Sequence, residues 1–211
     1  FALSMAGAFA PLAMGLASPG GAVLRGVMLR RLPRPRERLD GLRRQIEHAD
    51  VRFDGRLRVI AVDRTTGRRV VFGSPGAPQA TVAQAVVASC TVPWLFAPAR
   101  IGGREYVDGG VWSPTNMDAA PAGRGTRVLC LNPTASLPGS GDIIGVLRRV
   151  SRSAAAVEAM ALRGRGATVE VVGPDADSAA AMGVNLMDRG PADDVLAAGY
   201  EQGRALALRL P

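Results

Sequence analysis

Ser89-Cys90-Thr91-Val92-Pro93-Trp94-Leu95-Phe96-Ala97-Pro98, then Val107-Asp108-Gly109-Gly110-Val111, then Ser113-Pro114-Thr115-Asn116, form the stretch whose reading decides the fold. An aspartate that follows a hydrophobic strand and precedes two glycines is poised at a strand end. Glycine accepts positive φ and lets neighbouring backbone come close, so a carboxylate there can approach a group on an adjacent loop. Alone, Asp-Gly-Gly is a weak signal, because Asp-Gly is a common turn. The order of three elements carries the weight: a small-residue helix ending in Ser-Cys-x-Val-Pro, a hairpin leading into Asp-Gly-Gly, and then Ser-Pro-Thr-Asn.

Working outward, Ala80 to Ala88 reads as a buried Ala/Val-rich helix that Thr81 caps and Pro93 stops. Ile101 to Val107 reads as a tight hairpin turning at Gly102-Gly103. Upstream, Leu57–Asp63 and Arg69–Gly73 form a second hairpin, and Leu39, Leu42 and Ile46 recur at helical spacing. Downstream, Arg127–Leu131 reads as a short buried strand. Asp142 then caps a helix whose apolar stripe is Ile143, Leu147, Val150, Ala154, Val157 and Ala161. Thr168–Val172 is another strand, and Pro191 opens a terminal helix with Asp193 and Asp194 near its N-terminus. Strands that alternate with helices in this half predict an α/β fold with a largely parallel sheet.

Composition narrows the function. A chain of 211 residues that is 47% hydrophobic and 21% charged has the means to build a core. Its net charge of +8 comes from arginine alone, for there is no lysine. The arginines are scattered, with one dense run at Arg30-Arg31-Leu32-Pro33-Arg34-Pro35-Arg36. Aromatic residues make up only 4%, too few for stacking platforms, so a solvated basic face is expected and nucleic-acid binding is not. Cys90 and Cys130 read as two buried small residues, and with His48 they cannot supply a zinc site; no metal and no cofactor are expected. Gly139-Ser140-Gly141-Asp142-Ile143-Ile144-Gly145 imitates a phosphate loop but misses the dinucleotide spacing and has no Gly-Lys-Ser/Thr, so it reads as a loop. Phe1 to Leu24 carries no charge, yet Pro11 and Ser18-Pro19-Gly20-Gly21 interrupt it; it reads as an apolar segment or buried helix.

The order of elements around Asp-Gly-Gly resembles the patatin-like phospholipase family, bacterial type. The Leu57-to-Gly73 hairpin and Ala181-Met182-Gly183-Val184-Asn185-Leu186-Met187-Asp188 are similar to its members too. The likeness runs from about Leu32 onward and is most specific between Ala85 and Asn116. It implies a three-layer α/β/α sandwich and a lipid acyl hydrolase of phospholipase A type. Members use a Ser-Asp dyad, in which a Gly-x-Ser-x-Gly elbow supplies the serine and Asp-Gly-Gly or Asp-Gly-Ala the aspartate. Asp108 is then the dyad's aspartate, with Gly109 and Gly110 as its motif. A free Asp titrates near about 3.9, too low for an effective base at neutral pH, so burial against apolar walls would have to raise it. No Gly-x-Ser-x-Gly occurs in these residues. The chain, which begins at Phe1, therefore reads as the C-terminal portion of a longer hydrolase, inactive by itself. Residues 1–36 are an apolar then Arg/Pro-rich segment, read as packing against the sheet in preference to lining the acyl-site mouth or facing a membrane, and residues 37–211 the C-terminal part of the hydrolase domain. The expected partner is a lipid or ester substrate, with peripheral membrane contact, in a cytoplasmic or peripheral-membrane setting. The alternative is a catalytically inactive patatin-like module that binds lipid or a partner.

Overall fold

A computed structural model describes residues 21–136, 142–183, 188 and 190–208. They fall into two compact units, one ending at Ala119 and the other starting at Ala120. Most of Phe1–Leu24 and the glycine loop at 139–141 lie outside the described residues, as do residues 184–187 of the 181–188 segment.

The first unit is built on a four-stranded sheet of order β2-β1-β4-β3, with β1 Val59–Asp63, β2 Arg69–Phe72, β3 Ala99–Ile101 and β4 Arg104–Asp108. Every pairing in it is antiparallel, including β1 with β4 through Ala61 opposite Asp108. The expectation of a largely parallel sheet is corrected here. Both connections inside the hairpins are too short to carry a parallel crossover, which needs a dozen residues or more. Gly102 (φ 54) and Gly103 (φ 77) make the tight β3–β4 turn, as their sequence indicates.

Side chains alternate across this sheet, and each face has its own helix. On one face Val59, Ala61, Phe72, Ile101 and Tyr106 pack with Ala85 and Ala88 of α3 Val82–Cys90. Phe72 and Tyr106 meet edge to face, with ring centroids 5.3 Å apart. The helix starts at a complete capping box: Thr81 Oγ1 accepts from the Gln84 amide at 3.2 Å, and Gln84 Oε1 accepts from the Thr81 amide at 2.9 Å. On the other face Val62 and Val107 pack with Leu29 of α1 Ala22–Arg31. The short α2 Asp40–His48 lies between them in sequence and carries an Arg43–Glu47 pair one turn apart. Two helices on opposite faces give this unit an α/β/α layering.

Helix α1 was not apparent in the sequence, because it crosses from the charge-free stretch into the arginine run. Its buried residues are Ala22, Arg25, Gly26 and Leu29, spaced as one helical face that includes a cation. Arg25 donates to the Gly67 carbonyl and lies 4.3 Å above the Trp112 ring. Arg64 caps the other end, donating to the Arg30 and Leu32 carbonyls at 3.3 and 3.1 Å while pairing with Glu105. Leu32 then turns extended, as the residue before Pro33 must.

The second unit carries β5 Arg127–Leu131 and β6 Thr168–Val172, paired in parallel across the connecting α4 Asp142–Gly164. Two shorter segments follow, α5 Ala176–Met182 and α6 Ala192–Ala207, the latter opened by Pro191. The sequence placed these strands and the long helix, and Val150 is buried as expected, but other positions face differently. Only Cys130 of β5 is buried; Leu129 and Leu131 are 54% and 70% exposed. On α4 the buried stripe is Val150, Ser151, Ala155, Glu158, Ala159 and Leu162, while Val157 is exposed. A polar cluster sets that rotation: Ser151 Oγ reaches Asn132 Oδ1 at 3.0 Å and Thr134 Oγ1 at 2.6 Å, and small alanines let the helix approach. The side chains of Asp142, Ile143 and Leu147 lie outside the described residues.

Where α1 crosses the β1–β2 turn, Gly67 has φ +66, and a methyl group on it would fall on the Ala22 carbonyl oxygen and the Gly26 nitrogen. Gly102 is also left-handed but has open space around it. Chemical denaturation is therefore expected to show Gly67→Ala costing more than about 2 kcal/mol and Gly102→Ala about 1 kcal/mol.

Candidate active site

The site is assembled where β4 ends. Asp108 is the last residue of that strand, facing Ala61 of β1, and its amide donates to the Thr91 carbonyl at 2.9 Å. Thr91 is buried at the end of α3, where its hydroxyl donates to the Val87 carbonyl at 2.7 Å. The backbone of Asp108 is therefore held from both sides, by the sheet and by the helix exit. Past Asp108 the chain makes a single 3-10 turn, Gly109–Val111.

The two glycines act through close approach. Neither adopts positive φ, which corrects half of the sequence rationale for them. A Cβ on Gly109 would lie 2.7 Å from the Ile60 carbonyl oxygen and 3.1 Å from its carbon, so β1's backbone leaves room only for hydrogen. A Cβ on Gly110 would meet instead the Asp108 carboxylate, 2.9 Å from Oδ1. The Gly110 amide donates to that same Oδ1 at 2.6 Å. Among the described residues nothing donates to the other oxygen, Oδ2.

Asp108 is partly buried, and burial raises its pKa from the usual carboxylate range to about 6, against the opposing pull of the Gly110 amide. It is then mostly ionised at neutral pH yet basic enough to take a proton from a hydroxyl. Of the other titratable groups, Cys90 senses it: burial first, and the nearby Asp108 charge second, push the thiol up. Cys90 is exposed at the C-terminal end of α3, where the sequence placed it inside; Cys130 is buried as expected. His48 closes α2 on the surface. Among the described residues no group of three or more His, Cys, Asp or Glu is arranged to hold a metal ion, and no helix is long and apolar enough to cross a membrane.

The Ser113-Pro114-Thr115-Asn116 segment folds back onto the Asp-Gly-Gly turn. Asn116, at φ 48, donates through Nδ2 to the Gly109 carbonyl at 3.0 Å and to the Ser113 carbonyl at 2.6 Å. Arg69 of β2 donates to Asn116 Oδ1 at 3.4 Å and forks onto Asp118 at 2.5 and 2.8 Å. Arg69 also lies 5.1 Å from the Trp112 ring, so Trp112 contacts both Arg69 and Arg25. Arg25, Arg69 and Trp112 were missed in the sequence, because nothing local marks an arginine that acts 42 or 49 residues away. Asn116 had a readable signal: asparagine tolerates the left-handed region, and here it follows Ser-Pro-Thr.

The two glycines should therefore respond differently. Gly109→Ala is expected to destabilise the protein by about 2–4 kcal/mol, because strand backbone must move. Gly110→Ala is expected to stay within about 1 kcal/mol, because only the carboxylate must shift by a few tenths of an ångström. Urea unfolding of the two variants measures this, and equal losses would contradict it.

Comparison with known proteins identifies the family. The family model described as patatin-like phospholipase matches residues 9–121, just over half of the chain, and the match takes in all of β1 to β4, α3 and the Asp-Gly-Gly turn. A search of the curated proteins found no match. The layered α/β unit, its strand-end aspartate and this match together place the chain in the patatin-like phospholipase family, a family of lipid acyl hydrolases.

Proposed function

We propose that this chain supplies the aspartate of a serine–aspartate dyad in a lipid acyl hydrolase of phospholipase A type. The observation that carries the reading is the Asp108 carboxylate: one oxygen is tied to the Gly110 amide, and burial lifts its pKa to about 6. The serine comes from a segment outside these residues, since they contain no Gly-x-Ser-x-Gly. Its hydroxyl attacks the ester carbonyl while Asp108 Oδ2 takes the proton. The proton then passes to the departing alcohol, leaving an acyl-serine that water hydrolyses to free acid. Gly109 and Gly110 hold the base in place. On this reading the 211 residues by themselves hydrolyse no ester. The missing elbow also favours a second reading, a lipid- or partner-binding module that has lost catalysis.

In the longer protein, Asp108→Asn should lower kcat on short-chain esters and phospholipids by about 10²–10⁴-fold. The wild-type kcat/KM should rise with pH through about 6, because the ionised carboxylate is the active form, and fall about tenfold per unit below it. Unchanged turnover in the variant would remove Asp108 from the chemistry. Absence of turnover in both proteins, with lipid still bound, would favour the module.

The exposed arginines Arg30, Arg31, Arg36 and Arg38 suit a peripheral contact with an anionic membrane. Co-sedimentation with vesicles rich in anionic lipid should weaken as salt rises, and replacing these four by glutamine should remove most of it. Binding that ignores both salt and these substitutions would sink the contact.

A further inference from the structure

We infer that Asn116 is a positioning residue for Asp108, acting through the peptide group that joins Gly109 to Gly110. This deepens the dyad reading and depends on it for its catalytic meaning. That peptide is planar, so fixing its oxygen fixes the direction of its N–H. Its oxygen, on Gly109, accepts from three donors: Asn116 Nδ2 at 3.0 Å, the Trp112 amide at 2.9 Å and the Ser113 amide at 3.3 Å. Its N–H, on Gly110, makes the 2.6 Å bond to Asp108 Oδ1. Donors that draw electron density onto the carbonyl strengthen the N–H as a donor to the carboxylate.

Asn116 is more than a turn residue. Closing its own loop requires only the bonds to Ser113, three residues back. The bond to Gly109 spans seven residues and adds nothing to that turn. The side chain is anchored at its other end as well. Arg69 holds Oδ1, and Asp118 and Trp112 hold Arg69. The anchor begins on β2, two strands away from β4 in the sheet. The sheet therefore sets the carboxylate's direction twice, once through β4's backbone and once through Arg69, Asn116 and the shared peptide.

The chain of contacts gives a readout that a merely structural role would not move. Facing Asp108 are the Gly110 amide from its own turn and the Cys90 thiol from α3, whose pKa is raised by burial and then by the Asp108 charge; Arg69 reaches it only through Asn116. Protein labelled with ¹³C-aspartate and ¹⁵N-glycine, assigned with Asp108→Asn and Gly110→Ala, reports both ends of the bond by NMR. Asn116→Gly keeps a residue suited to φ 48 and deletes the donor. It is expected to raise the Asp108 midpoint by about half a unit or more, and to reduce the coupling of the Gly110 amide shift to that titration. Asn116→Asp keeps the shape but turns an oxygen toward the Gly109 carbonyl. It serves as the second variant should the glycine form fail to fold, and the same loss of amide coupling is expected. A folded variant with the Asp108 midpoint and Gly110 coupling unchanged would overturn the assignment. Neither measurement needs turnover, so its outcome is separate from that of the dyad, which Asp108→Asn in the longer enzyme tests.

Discussion

The backbone leaving β4 runs so close to the Ile60 carbonyl that residue 109 has no room for a side chain. That steric constraint is what the site depends on. It forces the chain into a tight turn immediately after Asp108, and the turn brings the Gly110 amide round to the carboxylate. With one oxygen tied down, the side chain has one preferred direction rather than three, and the entropy of ordering it has been met before any substrate arrives. The same packing withdraws water from the carboxylate, which is why its proton affinity rises despite a donor that opposes the change. Position and basicity thus share a cause, the tight seating of a strand end against its neighbour.

The rest of the unit makes that seating rigid. Phe72, Tyr106 and Ala61 are fully buried on the α3 face, and Val62 and Val107 on the α1 face. Burial of Val62 and Val107 contributes about 1.5–3 kcal/mol each, and Ala61 and Tyr106 pack on the opposite face, so β1 and β4 are anchored from both sides. A charged network holds the β1–β2 turn and the start of β4. Buried Asp63 accepts from the Thr65 and Thr66 amides at 2.9 Å and pairs with Arg104. Glu105, beside Arg34, Arg64 and Arg100, is held below the usual carboxylate range although its own burial works the other way. These arginines reach across from the segment after α1 and from both hairpins, which gives several of the scattered cations a structural task.

Much of this could be read from the residues alone, and what could not has physical causes. The capping box at Thr81, the paired glycines at the β3–β4 turn and the alternation along β1 and β4 are local signals, and each element formed where its signal lay. The aspartate was legible through its glycines, although they serve by close approach and not by positive φ. Sheet direction was misjudged because alternation of strand and helix in the second half was extended to strands joined by hairpins. Beyond Val150, the C-terminal part of the α4 stripe was misjudged because an alanine-rich helix offers two apolar faces, and the choice between them falls to Asn132 and Thr134 on another segment. Arg25 and Arg69 were invisible for the same reason: their partners lie far along the chain. Cys90 was assigned to the interior from residue type, whereas its place at the helix exit exposes it.

The role of Asp108 turns on one distance. A crystal structure of a longer form of the protein, one that includes the segment proposed to supply the serine, would measure it directly. A serine hydroxyl within about 3 Å of the Asp108 carboxylate, with the Gly110 amide still on its other oxygen, is the predicted result. A carboxylate turned to bulk solvent and remote from any such hydroxyl would contradict it.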